Sequence, residues 1–291
     1  MRLTSSWTPR VLRRTRRLLV AIAAVGSVLL LTSSVAAGAL LFGWALLAVV
    51  ILESTRMRRS ILEGQRQQYA LTQIRPLMGD LPLDLSGWAA DAILIHNTVR
   101  IVTRIRPRLI MECGSGASTI VIGRCLRALG RGRLISLEHD PEYARRTSEL
   151  VRVHTLENVV TVVTAPLVPT RTAAGEGLWY GPEYRDRITC PIDVLLVDGP
   201  PGAVGPRARY PAVPVLKSLL APECWILLDD GDRPDERAIA HAWGSELSAK
   251  LQYLDGGRGG WLLHRQLGAS DHRHEPAPIA MSGDASLRSG G

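Results

Sequence analysis

Between residues 88 and 265 one unit repeats along the chain: a short apolar run, a turn, then a helical stretch. The runs are Arg108–Cys113, Leu134–Glu138, Val159–Val163, Asp193–Val197, Cys224–Leu228, Leu251–Leu254 and Trp261–His264. The helical stretches are Trp88–Ile105, Ser118–Leu129, Pro141–His154, Val213–Leu220 and Pro234–Ala249. Apolar runs without alternation suit strands covered on both faces, and strands that alternate with helices pack as a doubly wound sheet. The last two runs, joined by Asp255-Gly256-Gly257-Arg258-Gly259, read as a C-terminal antiparallel hairpin at the sheet edge. Sheets of this class bind ligands beyond the carboxyl ends of their strands. There this chain carries Glu112, Gly114 and Gly116, then Glu138 and Asp140, then Asp198-Gly199-Pro200-Pro201-Gly202, then Asp229-Asp230-Gly231-Asp232. Turn chemistry accounts for Gly, Pro and some Asp; it accounts less well for acids at four successive strand ends on one rim.

A second feature limits where the chain resides. Leu18 to Leu52 is 35 residues without a charge, which is membrane-length. Arg13, Arg14, Arg16 and Arg17 precede it and Arg56, Arg58 and Arg59 follow it. Basic residues at both ends favour a helical hairpin that keeps both clusters in the cytoplasm, with Thr32-Ser33-Ser34 as its turn, over one tilted span or a cleaved signal peptide. The expected organisation is a basic segment 1–17, a transmembrane segment 18–52, a helical linker 53–75, a folded domain 76–267 and a disordered tail 268–291. Residues 1–66 hold ten Arg against Glu53 and Glu63, and that surplus equals the whole formal net charge of +8. The folded part is therefore neutral overall, which disfavours nucleic acid as a partner. Cys113, Cys125, Cys190 and Cys224 show no metal-binding spacing and read as buried thiols in a reducing compartment.

The glycine turn in "LIMECGSGASTIVIG" admits three ligand classes. A phosphate loop needs Lys before Ser or Thr, and no lysine is near. A dinucleotide site wants a third glycine, where this chain has Ser118-Thr119; Glu138, 22 residues after Gly116, suits the ribose of any adenosine ligand. The blocks "ECGSGASTIVIG", "LISLEHDPEYA", "IDVLLVDGPPG", "ILLDDGDR" and "GGWLLHR", in this order, resemble the class I S-adenosylmethionine-dependent methyltransferases, in the branch known as methyltransferase family 24. The resemblance covers about residues 86–265. It implies a Rossmann-like α/β fold, which here follows the expected transmembrane helix or hairpin. It also implies a cofactor bed of Glu112, Gly114, Ser115, Gly116 and Ser118, with Glu138 and His139 on the adenosine and Ala165 beside the adenine. Glu112 would orient the turn and the cofactor's ammonium. Ser115 and Ser118 also suit helix capping.

Asp198, Asp229 and Asp230 are similar to the carboxylates of metal-dependent O-methyltransferases, which implies Mg²⁺ or Mn²⁺ as a further cofactor and Asp198 and Asp229 as catalytic groups. Alternatively Asp198 starts a turn and Asp230 caps the helix from Pro234. Trp179, Tyr180 and Tyr184, in a loop, and Arg207, Arg209 and Tyr210 lie near the expected acceptor cleft, where they pack or meet a sugar or anion. The expected protein is a membrane-anchored methyltransferase with its soluble domain in the cytoplasm, acting on a hydroxyl of a glycan, a lipid-linked precursor or a small molecule. A membrane-bound scaffold without catalysis and an NAD-dependent enzyme are the alternatives.

Overall fold

The structure, a computed structural model, describes residues 20–28, 35–79 and 91–266. It divides into two compact units, Met1–Tyr69 and Ala70–Gly291. The first holds a helix over residues 20–28 (α1) and most of α2, Val35–Met78, whose last residues belong to the second. The hairpin turn expected at Thr32-Ser33-Ser34, the basic segment 1–17 and the whole of the tail 268–291 lie outside the described residues. Gly38–Met78 is long and apolar enough to cross a membrane. Its face offers nothing polar to water before Glu53: Leu40 is 67% exposed and Trp44 68%. Helix α2 continues through the stretch expected as a separate linker, and the boundary expected near residue 76 falls inside it. Pro76 lies in the last turn, where it cannot donate the i→i−4 backbone bond, and the helix ends two residues later. Ala70 and Ile74, four residues apart on one helical face, are buried in the core of the second unit.

That unit contains α3 (Ala92–Ile105), β1 (Leu109–Cys113), α4 (Ala117–Leu129), β2 (Arg133–Glu138), α5 (Pro141–Val153) and β3 (Val160–Thr164). Next come β4 (Leu167–Thr172), β5 (Gly175–Tyr180), β6 (Ile192–Val197), α6 (Ala212–Leu216), β7 (Leu220–Asp229), α7 (Pro234–Leu247), β8 (Lys250–Leu254) and β9 (Gly260–Gln266). Seven strands form the doubly wound sheet the sequence predicts, in the order β3-β2-β1-β6-β7-β9-β8. The first five are parallel, so their carboxyl ends share one rim. The C-terminal hairpin is antiparallel, with β9 paired to β7 inside the sheet and β8 at the edge.

Side chains alternate between two cores. Along β1, Leu109, Met111 and Cys113 face the layer of α6 and α7, whereas Ile110 faces α3 and α4. Trp243 anchors the first layer, its indole N–H donating to the Tyr210 carbonyl at 2.9 Å. Gly123 serves the second: a Cβ there would lie 2.5 Å from Val160 Cγ2, so the glycine allows α4 to close on β3.

The sequence reading does not anticipate β4 and β5. They form a separate two-stranded antiparallel sheet, pairing Leu167 with Tyr180 at its base and Thr172 with Gly175 at its tip. The stretch read as a loop around Trp179 and Tyr180 is thus the end of a strand.

Candidate active site

Where β1 gives way to α4, Gly114 turns with φ 96°, a conformation glycine adopts at little cost. Its amide donates to the Leu137 carbonyl at 2.9 Å, while Asp198 and Gly199 both donate to the Cys113 carbonyl, at 2.9 and 2.7 Å. The ends of β2, β1 and β6 are stitched together there.

Beneath the turn, Glu112 is fully buried. Its Oε1 accepts from Ser118 Oγ at 2.5 Å, and its Oε2 from Thr119 Oγ1 and Ser136 Oγ, both at 2.6 Å. Burial pushes this carboxyl's pKa up, and the three hydroxyl bonds pull it part of the way back. The carboxylate therefore fixes the turn from below, through hydroxyls of α4 and β2. It has no exposed surface. Ser118 is likewise spent on Glu112, and Ser115 does not cap α4. The N-cap is Gly116, whose amide donates to Thr119 Oγ1 at 2.9 Å. Thr119 and Ser136 are thus supports of the site that the motif reading passes over; Ser136 is recognisable only through its register opposite Glu112 in β2.

Glu138, at the carboxyl end of β2, reaches across to the same turn. Its Oε2 accepts from Ser115 N at 3.1 Å and Ser115 Oγ at 3.3 Å, and its Oε1 from His139 N at 2.8 Å and Asp140 N at 3.0 Å. His139 Nδ1 is 2.8 Å from Oε1, an ion-pair distance without hydrogen-bond alignment. Ala165 is buried, and its amide is taken by the Glu138 carbonyl at 2.8 Å. Any contact of this residue with an adenine falls to its remaining backbone.

Past β6 and β7, the ligand oxygens of Asp198, Asp229 and Asp230 come within 4.8 Å of one another. Arginines surround them. Arg209 Nη2 lies 3.4 Å from Asp198 Oδ1 and 2.8 Å from Asp230 Oδ2. Arg258 Nη2 lies 2.8 Å from Asp229 Oδ2, its Nε lies 3.1 Å from Asp230 Oδ1, and Arg233 Nη1 lies 2.9 Å from Asp230 Oδ2. Asp230 itself takes left-handed backbone, φ 59°, which Asp tolerates better than most residues. It does not cap α7, whose N-cap is Arg233.

These contacts decide how well the acids suit a divalent cation. Such an ion wants about six oxygen ligands, yet four of the six carboxylate oxygens already meet guanidinium groups. Arg209, Arg233 and Arg258 are shared among these three acids and buried Glu236, which lies 4.0 Å from Arg209 and 3.8 Å from Arg233, and a dication would be set against all three guanidinium groups. The donor set does not fit Mg²⁺ or Mn²⁺ in this arrangement. What it does provide is a buried carboxylate pair: burial first, and Asp229 second, hold the Asp198 pKa well above the usual carboxylate range. One oxygen of Asp229, Oδ1, is buried without a hydrogen-bond partner.

The loop residues divide by position. Trp179 and Tyr184 are buried in the core, and Tyr210 packs there through its ring. Arg209, read from sequence as facing an acceptor, is 3% exposed and belongs to the acid cluster. Arg207 keeps its side chain outside, with its backbone amide on Asp235 Oδ2 at 3.0 Å. Arg258, read only as part of a hairpin turn, reaches the cluster because its own amide is held by Asp91 Oδ2 at 3.1 Å.

The family model described as "Methyltransferase domain" matches residues 111–231. No curated protein matches the chain. Among solved structures, the SAH-bound methyltransferase PaMTH1 of Podospora anserina is similar over 74% of this chain and 97% of its own, with 14% identity and a TM-score of 0.50. The O-methyltransferase TomG of Streptomyces achromogenes, solved with SAM, covers 70% of this chain and 90% of its own at 18% identity and a TM-score of 0.45. An O-methyltransferase of Bacillus cereus, solved with SAH, covers 68% and 91% at 15% identity and a TM-score of 0.45. Residues 111–231 are thus similar to a methyltransferase domain, and the fold around them is Rossmann-like.

Proposed function

We propose that this chain is a membrane-anchored S-adenosylmethionine-dependent methyltransferase that acts on a hydroxyl oxygen. The observation that carries the reading is Glu138: an acid at the end of β2 whose oxygen grips the amide of Ser115 in the adjacent glycine turn. A carboxylate so placed suits the ribose hydroxyls of an adenosine ligand, while the turn leaves backbone open to the rest of it. Ser115, Gly116 and His139 complete that bed. Glu112 and Ser118 hold it from behind.

The second half of the chemistry lies on the same rim. Transfer from a sulfonium is an in-line displacement, in which alignment supplies much of the rate. The methyl group passes to the acceptor oxygen, the thioether product leaves, and the hydroxyl proton goes to the Asp198–Asp229 pair. A carboxylate whose pKa is raised is a stronger base than an ordinary one. Arg209 and Arg258 hold the pair in place. No step in this scheme passes through a metal.

Helix α2 supports the anchor. Its uncharged part, Val35 to Leu52, is 18 residues, which rise about 27 Å against a hydrocarbon core of about 30 Å. Its exposed Leu and Trp side chains are at home in lipid. Arg56, Arg58 and Arg59, just after that part, favour a cytoplasmic domain, and confinement to that surface favours glycan or lipid-linked acceptors. Calorimetric titration of the full chain in detergent tests the cofactor assignment: the wild type binds S-adenosylhomocysteine, and Glu138→Ala weakens it at least tenfold. Equal affinity in the variant refutes the role of Glu138, and no binding by the wild type refutes the function.

A further inference from the structure

The β4–β5 hairpin brings one polar group to this rim for which the fold has no use. Along β5 the first four residues are exposed and the last two, Trp179 and Tyr180, are buried. Trp179 is sunk in the core at 1% exposure. On the other side, Gly181 donates its amide to the Pro166 carbonyl at 2.8 Å, and Ala165 is tied to Glu138. The backbone of Tyr180 is held from both directions, so its side chain is delivered to one place.

That place is the meeting point of the β1 and β6 turns. A Cβ on Gly199 would run into the Tyr180 hydroxyl, and a Cβ on Gly114 would lie 3.0 Å from Gly199 N. Two glycines and a phenol thus converge where side chains on either glycine would close the space. The Tyr180 ring stands edge-on to His139, with centroids 6.3 Å apart. Asp198, Glu138 and Arg209 are near enough to act on it electrostatically, and burial pushes the phenol's pKa up, so it remains a donor. Yet the hydroxyl is buried and makes no hydrogen bond. A buried O–H without a partner is costly, and Phe would fill the same volume without that cost. Its presence points to a partner that arrives with the ligand.

We propose that Tyr180 is a cofactor-contact residue whose hydroxyl hydrogen-bonds the amino-acid end of S-adenosylmethionine above Gly114 and Gly199. The proposal rests on the function argued above. The amino-acid end is singled out by position. Glu138 and His139, which suit the ribose, stand at the end of β2, whereas the phenol lies one and two strands further on, over the turns of β1 and β6.

The experiment compares two ligands on two proteins, each the full chain in detergent. S-adenosylhomocysteine carries the amino-acid end and 5′-methylthioadenosine lacks it. Tyr180→Phe weakens S-adenosylhomocysteine about tenfold, the loss of one hydrogen bond to a charged group. It leaves methylthioadenosine within about twofold, and its melting temperature in the absence of ligand is no lower than that of the wild type. Unchanged affinity for S-adenosylhomocysteine overturns the assignment. So does an equal loss for both ligands or a lowered melting temperature, either of which marks a structural hydroxyl. A wild type that binds neither ligand overturns the underlying function, a result distinct from a failure confined to the variant.

Discussion

Replacing Arg209 with Met keeps the length of the side chain and removes the charge that balances Asp198. In the wild type the Arg209 side chain is 4% exposed and that of Asp198 16%, so solvent screens the pair little. Asp230 keeps Arg233 and Arg258 at 2.9 and 3.1 Å after the change. Asp198 keeps no such partner, and an uncompensated buried charge costs about 3–5 kcal/mol. Because one of the two acids remains paired, the expected loss is near the lower end, about 3 kcal/mol. For a domain of this size that lowers the melting temperature by roughly 6–12 °C. The pH dependence carries the stronger test. The folded pKa of Asp198 already lies above its unfolded value, so the folded state holds this proton more tightly and stability falls as pH rises between the two. Loss of Arg209 lifts the folded value further. The deficit is therefore small near the ordinary aspartate pKa of about 4 and grows as pH rises. Urea unfolding of the full chain in micelles, followed by tryptophan fluorescence at pH 5 and pH 8, measures it. A deficit below about 1 kcal/mol at pH 8, or one equal at the two values, would refute the account of the cluster.

Two further outcomes follow from the site and the anchor. Methyl transfer to a hydroxyl acceptor persists in EDTA and gains nothing from added Mg²⁺ or Mn²⁺, since guanidinium groups already meet the acids; abolition by chelator, with recovery on adding metal, refutes this. Leu41→Arg combined with Leu46→Arg costs insertion about 3 kcal/mol at each position and moves the protein out of the membrane fraction in a flotation gradient. Continued flotation with lipid refutes a spanning role for α2.

The sequence exposes those parts of the fold whose signals are local. Unbroken apolar runs such as Leu109–Cys113 mark buried strands, and acids or glycines just beyond them mark the rim. The β4–β5 hairpin gives no such signal. Pro169 argues against a strand, and its exposed residues follow no burial period. The arginines are opaque for another reason. Arg209 and Asp230 are 21 residues apart and Arg258 and Asp229 are 29, so only the tertiary fold shows that the acidic rim already meets guanidinium groups. Reading Asp198, Asp229 and Asp230 alone counts their charges without the countercharges. Glu112 shows the same limit at shorter range: the motif locates it, but only the partners on α4 and β2 show that it faces inward.

Those partners make four positions one unit of inheritance. Loss of Glu112 alone would take the acceptor from the hydroxyls of Ser118, Thr119 and Ser136, leaving Thr119 and Ser136 only each other at 3.3 Å, and loss of all three hydroxyls would strand the carboxylate. Exchanging the whole set for apolar side chains of similar shape would leave only the Gly116 amide without its Thr119 acceptor, a smaller loss than that of any single member. A lineage could therefore abandon this acid only in concert with its neighbours, and the persistence of Glu112 would record the history of a buried network as much as the demands of a ligand.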